Sequence, residues 1–206
     1  GFFMAVEETG FSLRAGDFFA VTGRSGSGKS TLLKMLAGLM APGTGRVLLD
    51  DTDIYGLEEA ELARLRNRQI GLAPQTLMAL SSLTVQENIL LPCSLYGVAR
   101  EAEPRALQLM ERLGIAHLKS ADPAELSGGE LRRLTLARAL VRDAAVLLLD
   151  EPTGDLDDEN TRLVFALLRE EAAHGRAVLV VTHEREAADY ADRLYRMEAG
   201  KLELSS

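Results

Sequence analysis

Short runs of apolar residues without regular polar alternation recur along the chain. Five of them have the length of strands, at residues 17–21, 46–49, 70–73, 146–149 and 177–181. Strands that are buried on both faces lack the alternation of half-exposed strands, so these runs predict a mostly parallel sheet with helices on each side. Near the end of the chain, residues 194–197 and 202–204 flank a turn that contains Gly200, which predicts a hairpin.

Helical patterns lie between the predicted strands. Leucines recur at helical spacing after Gly28, and either Gly38 or Gly43 can end that helix. Strand signals vanish between about residues 77 and 141, where three segments have helical patterns: 86–91, 104–113 and 131–140. A further helical pattern lies at 163–170. We therefore expect one α/β domain over residues 1–206, in which a core of 1–76 and 142–206 carries a helical insertion at 77–141.

Composition and charge narrow the class of protein. The 206 residues are 47% hydrophobic and 26% charged, which is an ordinary balance for a folded domain. Acidic residues outnumber Lys and Arg by 31 to 23, and the net charge of −8 argues against a protein that grips nucleic acid. No nucleic-acid partner is therefore expected. The single Cys93 excludes an internal disulfide and a cysteine-rich zinc site, which favours a reducing compartment.

No segment is expected to enter a membrane. The longest apolar runs, at 144–149 and 177–181, are far too short to cross a bilayer. The first six residues lack a basic start, and Glu7 follows too soon for a signal peptide. If the protein acts at a membrane, we expect another chain to span it.

The clearest chemical signal is the phosphate cradle, residues 23–30, which matches the pattern G-x-x-x-x-G-K-[ST]. An apolar strand precedes it and an apolar helix follows it. Glycines allow backbone N–H groups to wrap around a phosphate, and the helix start adds a positive dipole end. Lys29 is expected to reach the β- and γ-phosphates, and the Ser30 hydroxyl to hold Mg²⁺. The alternative is a flexible loop with an exposed lysine.

Two acids follow the apolar run at 146–149. At the end of a strand beside the cradle, Asp150 is placed to hold Mg²⁺, and Glu151 can polarise the attacking water. Solvated acids at a strand terminus are the alternative. That alternative is favoured for the acids alone, whereas the cradle on the same chain favours the catalytic interpretation.

A third candidate is the signature segment, residues 126–130 (LSGGE), which precedes a helix predicted from about 131 to 141. Ser127 and the two glycines can form a second anion site from exposed N–H groups and a hydroxyl. The alternative is a helix N-cap with a turn, as occurs in many proteins.

These motifs together carry a family resemblance. The phosphate cradle, Gln75, the signature segment, the LLLDEP run at 147–152, the loop at 154–157 and His183 follow one another in the order of the ABC (ATP-binding cassette) ATPases. The chain resembles their nucleotide-binding domain over nearly its whole length. The resemblance implies a P-loop NTPase (RecA-like) core with an inserted α-helical ABC subdomain, and it implies ATP and Mg²⁺ as ligands.

The resemblance also implies roles for individual residues. It assigns ATP binding to Gly23, Arg24, Ser25, Gly26, Ser27, Gly28, Lys29, Ser30 and Thr31. It assigns Mg²⁺ to Ser30, Gln75 and Asp150, and catalysis to Glu151, His183 and Gln75. Leu126, Ser127, Gly128, Gly129 and Glu130 resemble the segment that contacts the γ-phosphate held by the opposite subunit, and Asp157 the acid that crosses the dimer interface. For His183, a hydrogen-bonded histidine at a strand end is the alternative.

Within the family, the chain resembles small exporter-type cassettes of lipoprotein release, macrolide or peptide export, and related cell-division complexes. Residues 82–89, 91–92 and 191–194 carry this closer resemblance. It implies an ATP-hydrolysing subunit that dimerises around two Mg-ATP and powers a separate membrane-spanning permease from the cytoplasmic face. The alternative is a regulatory or mechanical ABC ATPase of a cell-division-type complex. Soluble ABC ATPases of repair or translation, and small-molecule P-loop kinases, fit the motifs less well.

Some positions depart from the family pattern. An aromatic residue on an extra N-terminal strand usually stacks on adenine, but 22 residues precede Gly23 and that strand is expected to be missing. Phe2 and Phe3 are not well placed by spacing to replace it, so weak base selectivity is expected. Pro74, Leu131 and Asp155 also depart from the commoner residues.

The insertion is expected to contact the membrane partner. The apolar positions that can form this dock are Leu77, Met78, Leu80, Leu83, Leu90 and Leu91. Core packing is the alternative for about half of them.

Overall fold

A six-stranded sheet runs through the computed structural model, which describes residues 5–184 and 186–205. The strands are β1 (Phe18–Thr22), β2 (Leu48–Leu49), β3 (Thr52–Asp53), β4 (Ile70–Ala73), β5 (Val146–Asp150), β6 (Ala177–Thr182), β7 (Arg193–Glu198) and β8 (Lys201–Leu204). The order in the large sheet is β4-β5-β6-β1-β7-β8. All neighbours are parallel except β7 and β8, which form the predicted hairpin. The expectation of a mostly parallel sheet is confirmed.

The prediction of a core strand at 46–49 is wrong. Only Leu48–Leu49 is extended, and it pairs with β3 in a two-stranded hairpin apart from the large sheet. Asp50 and Asp51 have φ values of 46° and 65°, so the backbone turns back immediately after the second leucine. The Leu48 side chain is therefore exposed rather than part of the core.

Seven helices surround the sheet in the described part of the chain. They are α1 (Lys29–Leu36), α2 (Glu59–Gln69), α3 (Val85–Ser94), α4 (Ala99–Arg112), α5 (Gly128–Leu140), α6 (Asp158–Ala173) and α7 (Ala187–Tyr190). Of the two glycines proposed to end α1, Gly38 does so, with φ of 70° and its N–H donating to the Met35 carbonyl. Helices α2 and α7 were not expected from the sequence.

The core lies on both faces of the sheet, as the strand pattern predicts. Alternate residues of β1 point to opposite sides, so Phe18 belongs to one hydrophobic cluster and Phe19 to the other. The larger cluster joins the sheet to α3, α4, α5 and α6, and the smaller one packs α1 against the sheet. The helices of the insertion are thus fixed to the same sheet that carries the cradle. Among the described residues, no helix has the length and apolarity needed to span a membrane.

Candidate functional site

The predicted site residues come from loops at one edge of the sheet. β1 leads into the phosphate cradle, β4 leads to Gln75, β5 is followed by Glu151, and β6 is followed by His183. The strands stand in the order β4-β5-β6-β1 and run parallel. Their carboxyl ends therefore lie side by side, where ligands of open α/β sheets bind.

The backbone of the phosphate cradle accepts hydrogen bonds from the side chain of Lys29. Lys29 Nζ donates to the carbonyl oxygens of Gly23 at 2.7 Å and Arg24 at 3.0 Å, and the residue is only 8% exposed. Gly28 precedes α1 with φ of 107°, and a Cβ there would lie 2.0 Å from the carbonyl oxygen of Ala5. Only glycine fits this position. The lysine is buried in an ordered loop, which contradicts the alternative of a flexible loop with an exposed lysine.

A cavity of about 530 Å³ opens in front of the cradle. It is lined by Thr22, Gly23, Arg24, Ser25, Gly26, Ser27, His183, Arg196, Met197, Glu198 and Ala199. The Ser27 hydroxyl is buried and has no hydrogen-bond partner among residues 5–184 and 186–205, which leaves a polar group for a ligand. Arg24 and the backbone N–H groups of residues 23–27 can donate to an anionic ligand here, although the wall also carries Glu198 paired with Arg196. Lys29, Ser30, Asp150 and Glu151 do not line this cavity. Thr31 lies within α1 and does not line this cavity.

No aromatic side chain lines this cavity in the part of the chain that the structure describes. Residues 5–17 contain no strand. Phe2 and Phe3, considered above for adenine stacking, lie outside the described residues. The expectation of weak base selectivity stays a prediction.

Asp150 and Ser30 form an oxygen pair at the base of the cradle. Burial raises the pKa of Asp150, although the hydrogen bond from Ser30 and the positive charge of Lys29 act in the opposite direction. Oxygen ligands of this kind suit Mg²⁺, whose charge favours the ionised carboxylate. The residues present therefore fit the metal that the sequence predicts.

Glu151 is held by the end of β6. Its Oε2 accepts hydrogen bonds from Thr182 Oγ1 at 3.0 Å and from the His183 backbone N–H at 3.3 Å, and lies 3.0 Å from His183 Nδ1. Glu151 has a φ of 50°, and its N–H donates to the Val181 carbonyl at 2.8 Å. A glutamate adopts this left-handed backbone only at a cost, which is typical of functional sites. The His183 ring itself is largely exposed at the mouth of the cavity.

The structure does not bring the Gln75 side chain to the cradle. Gln75 is exposed and does not line the cavity. Among the hydrogen bonds of the described residues, the one that involves Gln75 is made by its backbone carbonyl, which accepts from Arg132 Nη1 at 3.0 Å.

The signature segment caps α5. Ser127 Oγ donates to Glu130 Oε2 at 2.6 Å, and the Ser127 N–H donates to the same oxygen at 2.8 Å, which forms a capping box. These bonds lower the pKa of Glu130. Because the box nucleates the helix early, α5 begins at Gly128 rather than near 131 as predicted. The N-cap alternative describes the local structure correctly.

No residue of the signature segment lines the cavity in front of the cradle. Gly129 instead packs against the loop after Glu151, where an added Cβ would lie 3.3 Å from the Asp155 carbonyl oxygen. In the same region, Asp157 caps α6, accepting from the Asn160 N–H at 2.8 Å. Within one chain, the signature segment and the cradle are thus two separate anion-binding candidates.

The apolar positions proposed as a dock are divided between surface and core. Leu90 is buried in the large cluster, so core packing accounts for it. Leu77, Leu83 and Leu91 are partly buried, whereas Met78 and Leu80 are exposed. Three more exposed apolar residues of the insertion were not predicted: Leu95, Tyr96 and Val98.

Sequence analysis also missed three parts of the site itself. The turn between β7 and β8 lines the cavity because β7 lies next to β1, a neighbour far away in sequence. Thr153 donates to the carboxylate of Glu184 and so links the loops after β5 and β6. Arg132 lay inside a predicted helix, where no spacing marks one arginine among several.

The sheet order, the cradle and the acidic strand end together define a P-loop NTPase. A family model described as ABC transporter matches residues 6–154. The chain belongs to this family, whose cassettes are ATPases. Its recognition from the order of motifs is therefore confirmed, as is the fold class.

Named relatives give the same picture. The lipoprotein-releasing system ATP-binding protein LolD of Saccharophagus degradans is 39% identical over 92% of this chain and 84% of that protein. The methionine import ATP-binding protein MetN of Rhizobium johnstonii is 41% identical, over 96% of this chain and 55% of the relative. The macrolide export ATP-binding/permease protein MacB of Brucella abortus is 41% identical, but the chain spans only 30% of its length.

Solved structures of cassettes superimpose closely on this chain. A dimeric bacterial ABC transporter cassette matches with a TM-score of 0.90 and 30% identity, over 97% of this chain and 88% of that one. A dimeric post-hydrolysis cassette bound to ADP and phosphate matches with a TM-score of 0.91, at the same identity and coverage. The chain is similar to ATP-binding subunits of transporters throughout its length.

Proposed function

We propose that this chain binds Mg-ATP in the phosphate cradle, hydrolyses it, and thereby powers a membrane-spanning permease. The observation that carries the proposal is the position of Glu151, held through Oε2 by Thr182 and His183 directly after Asp150. A carboxylate fixed beside a metal-binding acid and a phosphate cradle can orient and activate water.

The proposed roles follow from these contacts. Lys29 and the N–H groups of residues 23–28 bind the phosphates, and Ser27 supplies a further hydroxyl. Ser30 and Asp150 hold Mg²⁺, with Gln75 joining them once its loop moves towards the cradle. Mg-ATP brings the phosphoanhydride bond and the metal charge that stabilises the leaving phosphates. Glu151 orients the attacking water, and His183 holds Glu151 and faces the γ-phosphate.

We further propose that two copies form the complete site. The signature segment does not line the cradle of its own chain, so a two-fold pair can set it against the partner's cradle. Ser127, Gly128 and Gly129 then contact the γ-phosphate from across the interface, beside Asp157. Similar cassettes that have been solved as dimers support this proposal.

The proposed dock for the permease is a groove of about 350 Å³ between α2, α3 and α5. We call it the docking groove. It is lined by Leu39, Ala63, Arg66, Asn67, Ile70, Gly71, Leu72, Pro92, Leu95, Tyr96, Arg138, Ala139 and Arg142. Three arginines and no acid among these residues favour a permease segment that carries a carboxylate between apolar residues. None of the six apolar positions predicted from the sequence as the dock lines this groove, so the proposed contact moves to a different face, between the insertion and α2 of the core.

The central test replaces Glu151 with glutamine. Glu151→Gln keeps the size of the side chain and loses the base, so we expect turnover of Mg-ATP to fall by at least about 100-fold. Binding contacts remain, and the variant should accumulate as an ATP-bound dimer in gel filtration with light scattering. Lys29→Ala is the matched control, because it removes the phosphate counter-ion and should abolish nucleotide binding and dimerisation together. A Glu151→Gln variant that stays monomeric at saturating Mg-ATP contradicts the shared site.

A further inference from the structure

Arg132 is a buried arginine near the start of α5, and it bonds to two other loops of the site. Its side chain is 6% exposed. Nη1 donates to the Gln75 carbonyl at 3.0 Å and Nε donates to the Gly154 carbonyl at 3.3 Å. The nearest carboxylate, of Asp155, lies 3.7 Å from Nη2.

The compensation of this buried charge is unusual. A charge removed from water needs partners, and a close carboxylate is the common one. The Asp155 side chain is mostly exposed and its ion pair with Arg132 is long, so the two backbone carbonyls at hydrogen-bond distance are the closest partners of Arg132. The fit around Gly154 is close, because a Cβ there would lie 3.3 Å from Nη2. The guanidinium therefore lies closely packed between the loops after β4 and β5.

We propose that Arg132 is a positioning residue that couples the signature segment to the loops carrying Gln75 and Glu151. A guanidinium has donors on fixed edges of one plane, so it holds both carbonyls at a set distance from α5. The capping box ties Ser127 to the start of the same helix that carries Arg132. A movement of either loop towards bound ATP thus moves Ser127, and closure of the partner on Ser127 is transmitted back to Gln75.

This coupling rests on the proposed function, and it differs from simple stabilisation of the fold in one respect. If Arg132 only stabilises the chain, its loss lowers the melting temperature and leaves an intact monomer able to dimerise. If Arg132 sets the position of the signature segment, its loss leaves nucleotide binding at the cradle intact and weakens the ATP-dependent dimer. Lysine has a single ammonium group in place of the planar guanidinium, so it cannot hold the Gln75 and Gly154 carbonyls in the same geometry. Arg132→Lys should therefore keep the coupling only in part.

The experiment uses the full chain with Glu151→Gln, which separates dimerisation from hydrolysis. Arg132→Gln and Arg132→Lys are added singly to it. Fluorescent-ATP affinity is measured at protein concentrations far below dimerisation, and dimer dissociation with Mg-ATP is measured by sedimentation. We expect the nucleotide affinity of both variants to stay within about twofold of that of Glu151→Gln alone. The dimer dissociation constant should be at least about tenfold higher with Arg132→Gln, and Arg132→Lys should give an intermediate value.

Arg112→Gln is the matched control. It removes the contact of Arg112 on α4 with Glu170 on α6 at 2.5 Å, a link between the insertion and the core outside the site, and should leave the dimer unchanged. If Glu151→Gln alone does not dimerise, the proposed function fails. If it dimerises and both Arg132 variants dimerise equally well, the coupling alone is overturned. If both Arg132 variants fail to fold, Arg132 is structural and the coupling is likewise overturned.

Discussion

At the scale of single residues, Ser127 has two tasks that use the same hydroxyl. In the single chain, Oγ donates to Glu130 and closes the capping box of α5. In the proposed dimer, the same hydroxyl contacts the γ-phosphate of the partner's nucleotide. The first task can be measured alone in the absence of ATP, because it belongs to the monomer.

Ser127→Ala should lower the stability of the ATP-free protein by about 1 kcal/mol through loss of the cap. Glu130 has a lowered pKa in the folded chain, chiefly through the Ser127 hydroxyl. An acid whose pKa is lower in the folded chain than in the unfolded chain stabilises the fold when the pH is above the unfolded-state pKa. This stabilisation is lost as the pH falls through the folded-state pKa. The difference in the free energy of unfolding between wild type and variant should therefore be largest near pH 7. It should shrink below about pH 4, the pKa range of glutamate in an unfolded chain.

Urea unfolding from pH 3 to pH 8 measures this difference. Ser120→Ala is the control, since Ser120 is an exposed serine in the same insertion. A difference that stays constant over the whole range would contradict a stabilising bond to ionised Glu130.

Individual residues of the candidate site differ in whether the sequence alone could indicate them. Lys29, Asp150 and Glu151 could be proposed from the sequence because the chemistry assigned to them depends on short spacings beside a strand end. Arg132 and the β7–β8 turn could not be found, because tertiary packing alone brings them to the site. For Ser127 the sequence predicted two alternatives, an anion site and an N-cap, and the structure shows the N-cap.

At the scale of elements, the corner between α3 and α4 carries apolar side chains that the core does not use. Leu95 is 71% exposed and borders the docking groove beside Tyr96. Neighbouring arginines give the groove a positive lining. Exposed apolar side chains that cluster beside a groove are typical of a surface that binds a partner.

Leu95→Glu should weaken binding of the permease at least tenfold, which is about 1.4 kcal/mol. The added charge needs desolvation and repels the carboxylate expected on the partner. The measurement is pull-down and titration with the membrane-spanning protein encoded by a neighbouring gene, together with ATP hydrolysis by the isolated chain, which should not change. Leu204→Glu on β8 is the control, because Leu204 is 60% exposed away from the groove. Equal binding by both variants would rule out this groove as the dock.

Elements differed in how well their sequences predicted them. β1, β5 and β6 were correct because strands buried on both faces are continuously apolar. Helix α2 was missed because Leu62 is its one buried residue and apolar spacing is almost absent. Its charges did carry a signal, with Glu59 and Glu61 in the first turn and Arg66 and Arg68 in the last, as the helix dipole favours.

At the scale of the whole molecule, each copy carries a net charge of −8. Two such copies repel one another, and the repulsion acts against the proposed ATP-bound dimer. Salt shortens the range of this repulsion from roughly 30 Å at 0.01 M to about 8 Å at 0.15 M. Net charge is therefore expected to oppose the dimer that we propose the nucleotide holds together.

The dimer of Glu151→Gln with saturating Mg-ATP should become tighter as sodium chloride rises from 0.01 M to 0.15 M. Sedimentation at each salt concentration gives the dissociation constant. A neutral osmolyte at matched osmolality is the control for effects other than screening. A dimer that weakens with salt would show that attractive charge pairs across the interface outweigh the net repulsion.

The parallel sheet also places the proposed site at the carboxyl ends of the strands and leaves their amino ends far from it. All the catalytic loops leave at the carboxyl ends of the strands, whereas the exposed turn at His174, just before β6, lies at the opposite end. Cys93 is the chain's one thiol, and burial raises its pKa, so it reacts slowly with maleimides. A fluorophore attached through His174→Cys would thus label one place only, remote from the chemistry. Energy transfer between two such probes could follow the approach of two copies in real time.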